Sequence, residues 1–432
     1  MLSLHESTQR RVCRVAFIVF CVAPTLWTMA WIAHFYRPWR NDDWQRVLSQ
    51  QFHVQAKIEG IEKPRPGVTK LARVAIADLR SQQPLGVIET LQIERQSGRI
   101  ALGAERLELS IEQLKAFTKT IETCFSATEL PQFYFHANQL HVVGPEGKKF
   151  EFVNLRLRSV PGEAEKKQIL LRADIKQSEA IATVQMELEG QGDNSVPVLQ
   201  AKFDTQAAEL PAWLVADLVP GVGSCIEATF TGKGILRSEL AGSSGQLQGL
   251  FVDLDFKQWI GPLSPYQVQA QGRLKLNRVE WDADGVRLVQ GQLQAGEGQI
   301  ATGLIKQLEK VLYCESASAG TNSEGLQAFD QLNCNFEITS QGMTLTGNCD
   351  CVPNRTGCLM SLNSQPLLFQ PKYTEIPPSR LALVLFPQAK SDWMPLVRQA
   401  IEVIQSLPIT NLAPVPKTAT REEAGAAKKV IK

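Results

Sequence analysis

The sequence predicts a mainly β protein: a long antiparallel sheet, curved or rolled, with a few amphipathic helices and one N-terminal transmembrane helix. Three observations carry this expectation. Apolar and polar residues alternate over many short segments, as in strands with one buried and one wet face. Residues suited to chain reversal recur between those segments. A charge-free apolar run occupies Val15–Ala33.

That run follows residues 1–14, which carry Arg10, Arg11 and Arg14. At about 1.5 Å per residue, a helix over 15–33 matches the roughly 30 Å hydrocarbon core of a bilayer. Trp27, Trp31, Phe35, Tyr36 and Trp39 crowd its far end as an interfacial belt. The positive-inside rule makes residues 1–14 cytoplasmic and exports the remainder. The expected arrangement is a single pass through a membrane, with the bulk of the chain exported. A cleaved signal peptide ending at Thr28-Met29-Ala30 is the alternative, and it exports the same residues.

Residues 34–50 read as a polar linker. A first β-rich part covers 51–207, opening with Phe52, Val54, Ala56 and Ile58 in alternation. Ser110 and Gln113 have the capping-box spacing and predict a helix over 111–123. The cleanest alternation runs through Ile169 and Leu171, then Val184, Met186 and Leu188, then Phe203. A second β-rich part, 208–410, contains Leu250, Val252 and Leu254 in alternation and hairpins about Asp284-Gly285 and Gln341-Gly342. Helices are expected near 210–220, 299–313 and 391–406. Residues 411–432, rich in Ala, Pro, Lys and Glu, read as a disordered tail.

Composition removes whole classes of function. Hydrophobic residues make up 44% and charged residues 21%, ordinary values for a folded chain. A net charge of +1, from 45 basic and 44 acidic residues, provides no field for nucleic acid. No GxSxG, HExxH, Walker loop or GxGxxG occurs, so no catalytic residue and no cofactor is assigned and the chain is read as a non-enzyme.

Metal-ligand spacing is equally lacking. His53, His136 and His141 have no Asp or Cys partner at ligand spacing, so no metal site is assigned. Asp282-Ala283-Asp284-Gly285 opens like a calcium loop but lacks the later ligands, and reads as a turn. Cys314, Cys334, Cys349, Cys351 and Cys358 cluster, which in an exported chain predicts local disulfides. Cys334 with Cys349 and Cys351 with Cys358 are the simplest pairs, the connectivity being open. The spacing C-x-C-x6-C is not that of a zinc finger or ribbon.

In the C-terminal part GQIATGLIKQLEKVL is followed by FDQLNCNFEITSQGMTLTG, a helix and then a hairpin about a turn Gly; upstream lies SSGQLQGLFVDLDFKQWIG. In this order, behind one N-terminal membrane helix and meandering strands, the chain resembles the AsmA-like group, related to TamB and the bridge-like lipid transfer proteins. The likeness spans most of 45–410 as a pattern, and the cysteine cluster departs from it. It implies a groove- or taco-like β-sheet with an apolar concave face used in envelope lipid handling, without catalysis, on a chain that passes once through the inner membrane and has its bulk in the periplasm. Ile169, Leu171, Val184, Met186, Leu188, Phe203, Leu250, Val252 and Leu254 are the expected groove residues. The expected partners are the membrane, phospholipid acyl chains and envelope proteins, and not nucleic acid. Two alternatives stand: the sheet closes on itself around a dry core, or the chain is a structural or assembly scaffold of the envelope.

Overall fold

A computed structural model describes residues 17–385, except 36–39, 53, 66, 80–81, 97–98, 115–131, 162–166, 178–179, 194, 216–224, 240–241, 262–263, 318–324 and 352–355. The expected helices over 391–406 and from 115 to 123, the tail 411–432 and His53 lie outside the described residues. The chain divides into two compact units, residues 1–140 and 141–432. Among the described residues twenty strands belong to one hydrogen-bonded sheet, and every described pairing between named strands is antiparallel. None of these pairings closes the sheet into a ring.

The first unit begins with helix α1 (Ala23–Phe35), preceded by a π-helical segment, Ile18–Val22. Pro24 explains the irregularity. It has no N–H to give the carbonyl four residues earlier, and the hydroxyl of Thr25 instead bonds the carbonyl of Cys21 at 2.6 Å. Among the described residues no helix is long and apolar enough to cross a membrane. The 13 residues of α1 rise about 20 Å, against about 30 Å of hydrocarbon. Every residue from Ala23 to Trp31 is nevertheless exposed, with Phe20 at 79% and Trp27 at 75%.

Helix α2 (Arg40–Phe52) covers most of the segment read as a linker, 34–50. Trp44, Leu48 and Phe52 recur at the i, i+4 spacing that makes one helix face. Leu48 is buried, and Phe52 meets Phe133 edge-on at 5.7 Å. The strands β1 (Val54–Arg65), β2 (Val68–Asp78), β3 (Pro84–Gln96) and β4 (Arg99–Ser110) then meander. Ile58, Val74 and Ile88 are aligned partners, as are Leu71, Leu91 and Ala104, and all six are buried. After β4 the capping box forms as its spacing predicts. Gln113 Oε1 accepts from the Ser110 N–H at 2.7 Å, and Ser110 Oγ accepts from the Gln113 N–H at 3.2 Å, on a chain helical over 111–114. Strand β5 (Phe133–Val143) contains the point of division between the units.

In the second unit β6 (Lys149–Pro161), β7 (Lys167–Gln177), β8 (Ala180–Asp193) and β9 (Ser195–Asp204) continue the meander. The helix expected near 210–220 is replaced, over its described part, by the short strand β10 (Leu210–Pro211) and a 3-10 turn at Ala212–Leu214. Strands β11 (Thr229–Glu239) and β12 (Gly242–Asp255) follow. Because β11 pairs with β9, hydrogen bonding runs straight across the boundary expected at 207.

Helix α3 (Phe256–Ile260) is one turn, begun by Asp255, whose Oδ1 accepts from the Lys257 N–H at 2.8 Å. Strands β13 (Val268–Asp282) and β14 (Gly285–Ala301) form the long hairpin, with Asp282 opposite Gly285. Helix α4 (Thr302–Leu312) starts later than the expected 299 because Gly298 and Ile300 are still strand, paired to Ala270 and Val268. The remaining strands are β15 (Cys314–Ser316), β16 (Leu326–Phe329), β17 (Gln331–Thr339), β18 (Met343–Gly347), β19 (Cys358–Leu362) and β20 (Gln365–Pro371), and helix α5 (Ser379–Leu385) ends the described chain.

Glycines facing aromatic rings let these strands approach. A methyl group on Gly232 would lie 2.6 Å from Phe230 Cζ and 2.7 Å from the Cα of Gly249. One on Gly234 would lie 2.5 Å from Phe203 Cε1, and one on Gly291 2.8 Å from Phe336 Cζ. Gly232→Ala is therefore expected to destabilise the full chain by about 1–3 kcal/mol. Gly296→Ala, where a methyl meets nothing within 4 Å, should stay within about 0.5 kcal/mol. Urea unfolding midpoints check both.

Candidate functional site

The inward face of the second unit is the candidate site. Strand alternation puts Ile169, Leu171, Ala173 and Ile175 on one face of β7. Leu171 stands opposite Met186 on β8, Met186 opposite Phe203 on β9, and Phe203 opposite Gly234 on β11. The row continues through Leu247 on β12, Val279 on β13 and Val289 on β14 to Ile338 on β17 and Met343 on β18. No polar side chain interrupts it. At about 4.8 Å per strand it extends roughly 40 Å.

Of the expected groove residues, Ile169, Val184, Phe203 and Leu254 are buried, and Leu171 and Met186 are half-buried on the same face. Leu188 is placed by its backbone, opposite Ile169 and Ala201. Leu250 and Val252 are corrected: they lie on the other face of β12. Leu247 and Phe251 point inward, and the register then shifts between Phe251 and Leu254, where Asp253 adopts φ 55°. This bulge adds a residue and reverses the alternation, so Leu254 and Phe256 point inward while Val252 does not. Leu250 faces Thr231 and Lys275.

Helices pack against the β12–β20 part of this face. Phe256 from α3, Leu304 and Leu312 from α4 and Val384 from α5 join one core with Phe230, Phe251, Leu274 and Met360. α5 is also tied to the C-terminus of α4. The Arg380 guanidinium lies 4.5 Å from the centre of the Tyr313 ring and donates from Nη1 to the Val311 carbonyl at 3.0 Å. At the other end a smaller cluster holds Ile175, Val184, Ala208 and Leu210, with Phe150 and Phe152 against it.

The cysteines realise one of the two expected bridges. Cys351 and Cys358 are joined, whereas Cys334 and Cys349 are both thiols. The strand register explains this. Cys334 pairs with Gly347, so Cys349 is offset by two residues. Diagonal neighbours stand about 7–8 Å apart, beyond the reach of a disulfide. Cys334 is buried in the core, and its thiol is pushed up to about 12 by loss of solvent. Burial likewise raises Cys314 to about 12 and Cys225 and Cys349 to about 11.

Polar groups that resembled ligand sets are otherwise engaged. Arg287 bonds Asp282 through Nε and Asp284 through Nη2, the latter at 3.0 Å. Its hydrogen bond holds the Asp282 carboxyl below the usual range. His141 Nε2 lies 3.6 Å from Glu151 Oε1. Among the described residues no group of three or more His, Cys, Asp or Glu is arranged to hold a metal ion. No protein-family model matches the chain, and no curated protein matches it.

Two outcomes follow from the face and thiol assignments. Leu254→Ala should lower stability by about 2–5 kcal/mol, while Val252→Thr should change it by no more than about 0.5 kcal/mol, as read from paired urea titrations. In the folded chain Cys225, Cys314 and Cys334 should resist iodoacetamide at pH 8 and react promptly once unfolded, because the thiolate is the nucleophile and burial suppresses it until pH approaches 11–12.

Proposed function

We propose that this chain is a membrane-attached, non-catalytic β-sheet protein of the cell envelope that binds lipid acyl chains along its inward face. The observation that carries this reading is the apolar row from Leu171 to Met343, which no polar side chain breaks. Its length of roughly 40 Å exceeds one leaflet of hydrocarbon, about 15 Å. The β7–β9 end, where Leu171 and Met186 remain half-buried, is the place we assign to a chain.

Helix α1 supports attachment to a bilayer. Its large side chains Leu26, Trp27, Met29 and Trp31 are exposed together, an arrangement that water disfavours and hydrocarbon accepts. The likeness in element order to AsmA-like proteins agrees with the same reading. Native mass spectrometry of the detergent-extracted full chain should retain phospholipid, and Met186→Glu should reduce the retained fraction. A wild-type chain that carries no lipid in gentle detergent would sink the proposal.

The buried core that α3, α4 and α5 share with β11 to β20 favours a second reading, an envelope scaffold that presents its surfaces to proteins. In-cell crosslinking separates the two, since a scaffold should trap one dominant protein partner and a lipid-binding chain should trap lipid.

A further inference from the structure

The turn after β18 brings three cysteines into one short stretch of backbone. Asn348 donates its N–H to the Asn333 carbonyl at 2.9 Å, ending the pairing with β17. Cys349 then donates its N–H to the Cys358 carbonyl at 2.9 Å, and Cys351 donates to the Cys349 carbonyl at 3.0 Å. Cys358 is thus disulfide-bonded to Cys351 and backbone-bonded to Cys349. This backbone bond sets Cys349 beside Cys358. The Cys349 thiol already lies along β19, donating to the Leu359 carbonyl at 3.1 Å.

We propose that Cys349, Cys351 and Cys358 form an intramolecular thiol–disulfide exchange site, in which Cys349 and Cys351 compete for Cys358. In the forward step the Cys349 thiolate attacks Cys358 Sγ. The Cys349–Cys358 bond forms, the Cys351–Cys358 bond breaks, and its electron pair leaves on Cys351 Sγ, which takes up the proton Cys349 gave to solvent. One disulfide and one thiol stand on each side, so no oxidant or reductant is consumed.

The exchange moves a covalent staple. In one form it closes the loop 351–358; in the other it ties the end of β18 directly to the start of β19. Cys334 is excluded by its two-residue offset from Cys349. Burial raises the Cys349 thiol to about 11, so the thiolate fraction, and with it the rate, should rise about tenfold per pH unit below that value.

The sequence itself allows the test. Cleavage before Asp350 separates Cys349 from Cys351, and cleavage after Arg355 separates Cys351 from Cys358. The full chain, purified without reductant, is held at pH 7 or pH 9 and quenched with acid and N-ethylmaleimide. It is then cut with Asp-N protease and trypsin and sequenced by mass spectrometry. The expected result is a Cys349–Cys358 linked peptide with alkylated Cys351, forming about a hundredfold faster at pH 9 than at pH 7. Cys358 linked only to Cys351 at every time and pH would overturn the proposal. In Cys351→Ser treated with oxidised glutathione, which is reduced to two thiols as the bond forms, the chain should gain Cys349–Cys358; Cys349 left as a thiol, or joined to Cys334, counts against it. The wild-type time course decides the matter if that variant fails to fold.

Discussion

The Phe230 ring occupies the space that side chains at Gly232 and Gly249 would need, and much of the second unit follows from this contact. A glycine in a strand gives up side-chain packing and loses more conformational freedom on folding than any other residue. Here a neighbouring ring recovers the packing by covering the bare backbone. Phe203 does this over Gly234, Trp281 over Gly245 and Phe336 over Gly291, each from a directly paired position. Phe230 and Phe251 also meet, with ring centres 4.7 Å apart. Each ring settles which residues stand opposite one another, so the register of β9 through β17 is held by shape as well as by the ladder of hydrogen bonds.

That core also uses sulfur as a small apolar filler. Cys225, Cys314 and Cys334 are buried, and loss of solvent is the largest influence on each thiol. They sit among Phe329, Leu274 and Met360 in one cluster with the three helices. The arrangement separates two kinds of cysteine in one chain: those that pack, and those at the end of β18 that lie beside a disulfide.

Strand periodicity made the mainly β class legible, and the capping box at Ser110 and the turn at Gly342 were readable from residue type alone. Other features were hidden for physical reasons. Trp44, Leu48 and Phe52 mark a helix face, but the polar residues between them resemble a linker, and burial against β1 is what makes the face count. Ile300 belongs to the apolar pattern of α4 and is also a strand residue opposite Val268, so periodicity does not place the boundary. On β12 both Leu247–Gly249–Phe251 and Leu250–Val252–Leu254 alternate plausibly. The choice between them depends on partners from β11 and β13 that lie far away in sequence. Which face carries the candidate site was therefore only partly visible: the β7–β9 portion was legible, and the β12 portion was not.

The bulge at Asp253 makes β12 sensitive to the parity of insertions and deletions. Removing this one residue would leave Phe251 and Leu254 two residues apart, so a regular strand would keep both on the inward face. Removing a residue between Leu247 and Phe251 would instead turn one of those two side chains out of the core. Removing a pair of residues from the turn between β13 and β14 would instead shorten the hairpin and leave every face where it was. Length variation along this chain is thus expected to be tolerated in twos near hairpin tips and, within β12, in ones only at the Asp253 bulge, a constraint on how the sequence can drift that no single side chain reveals.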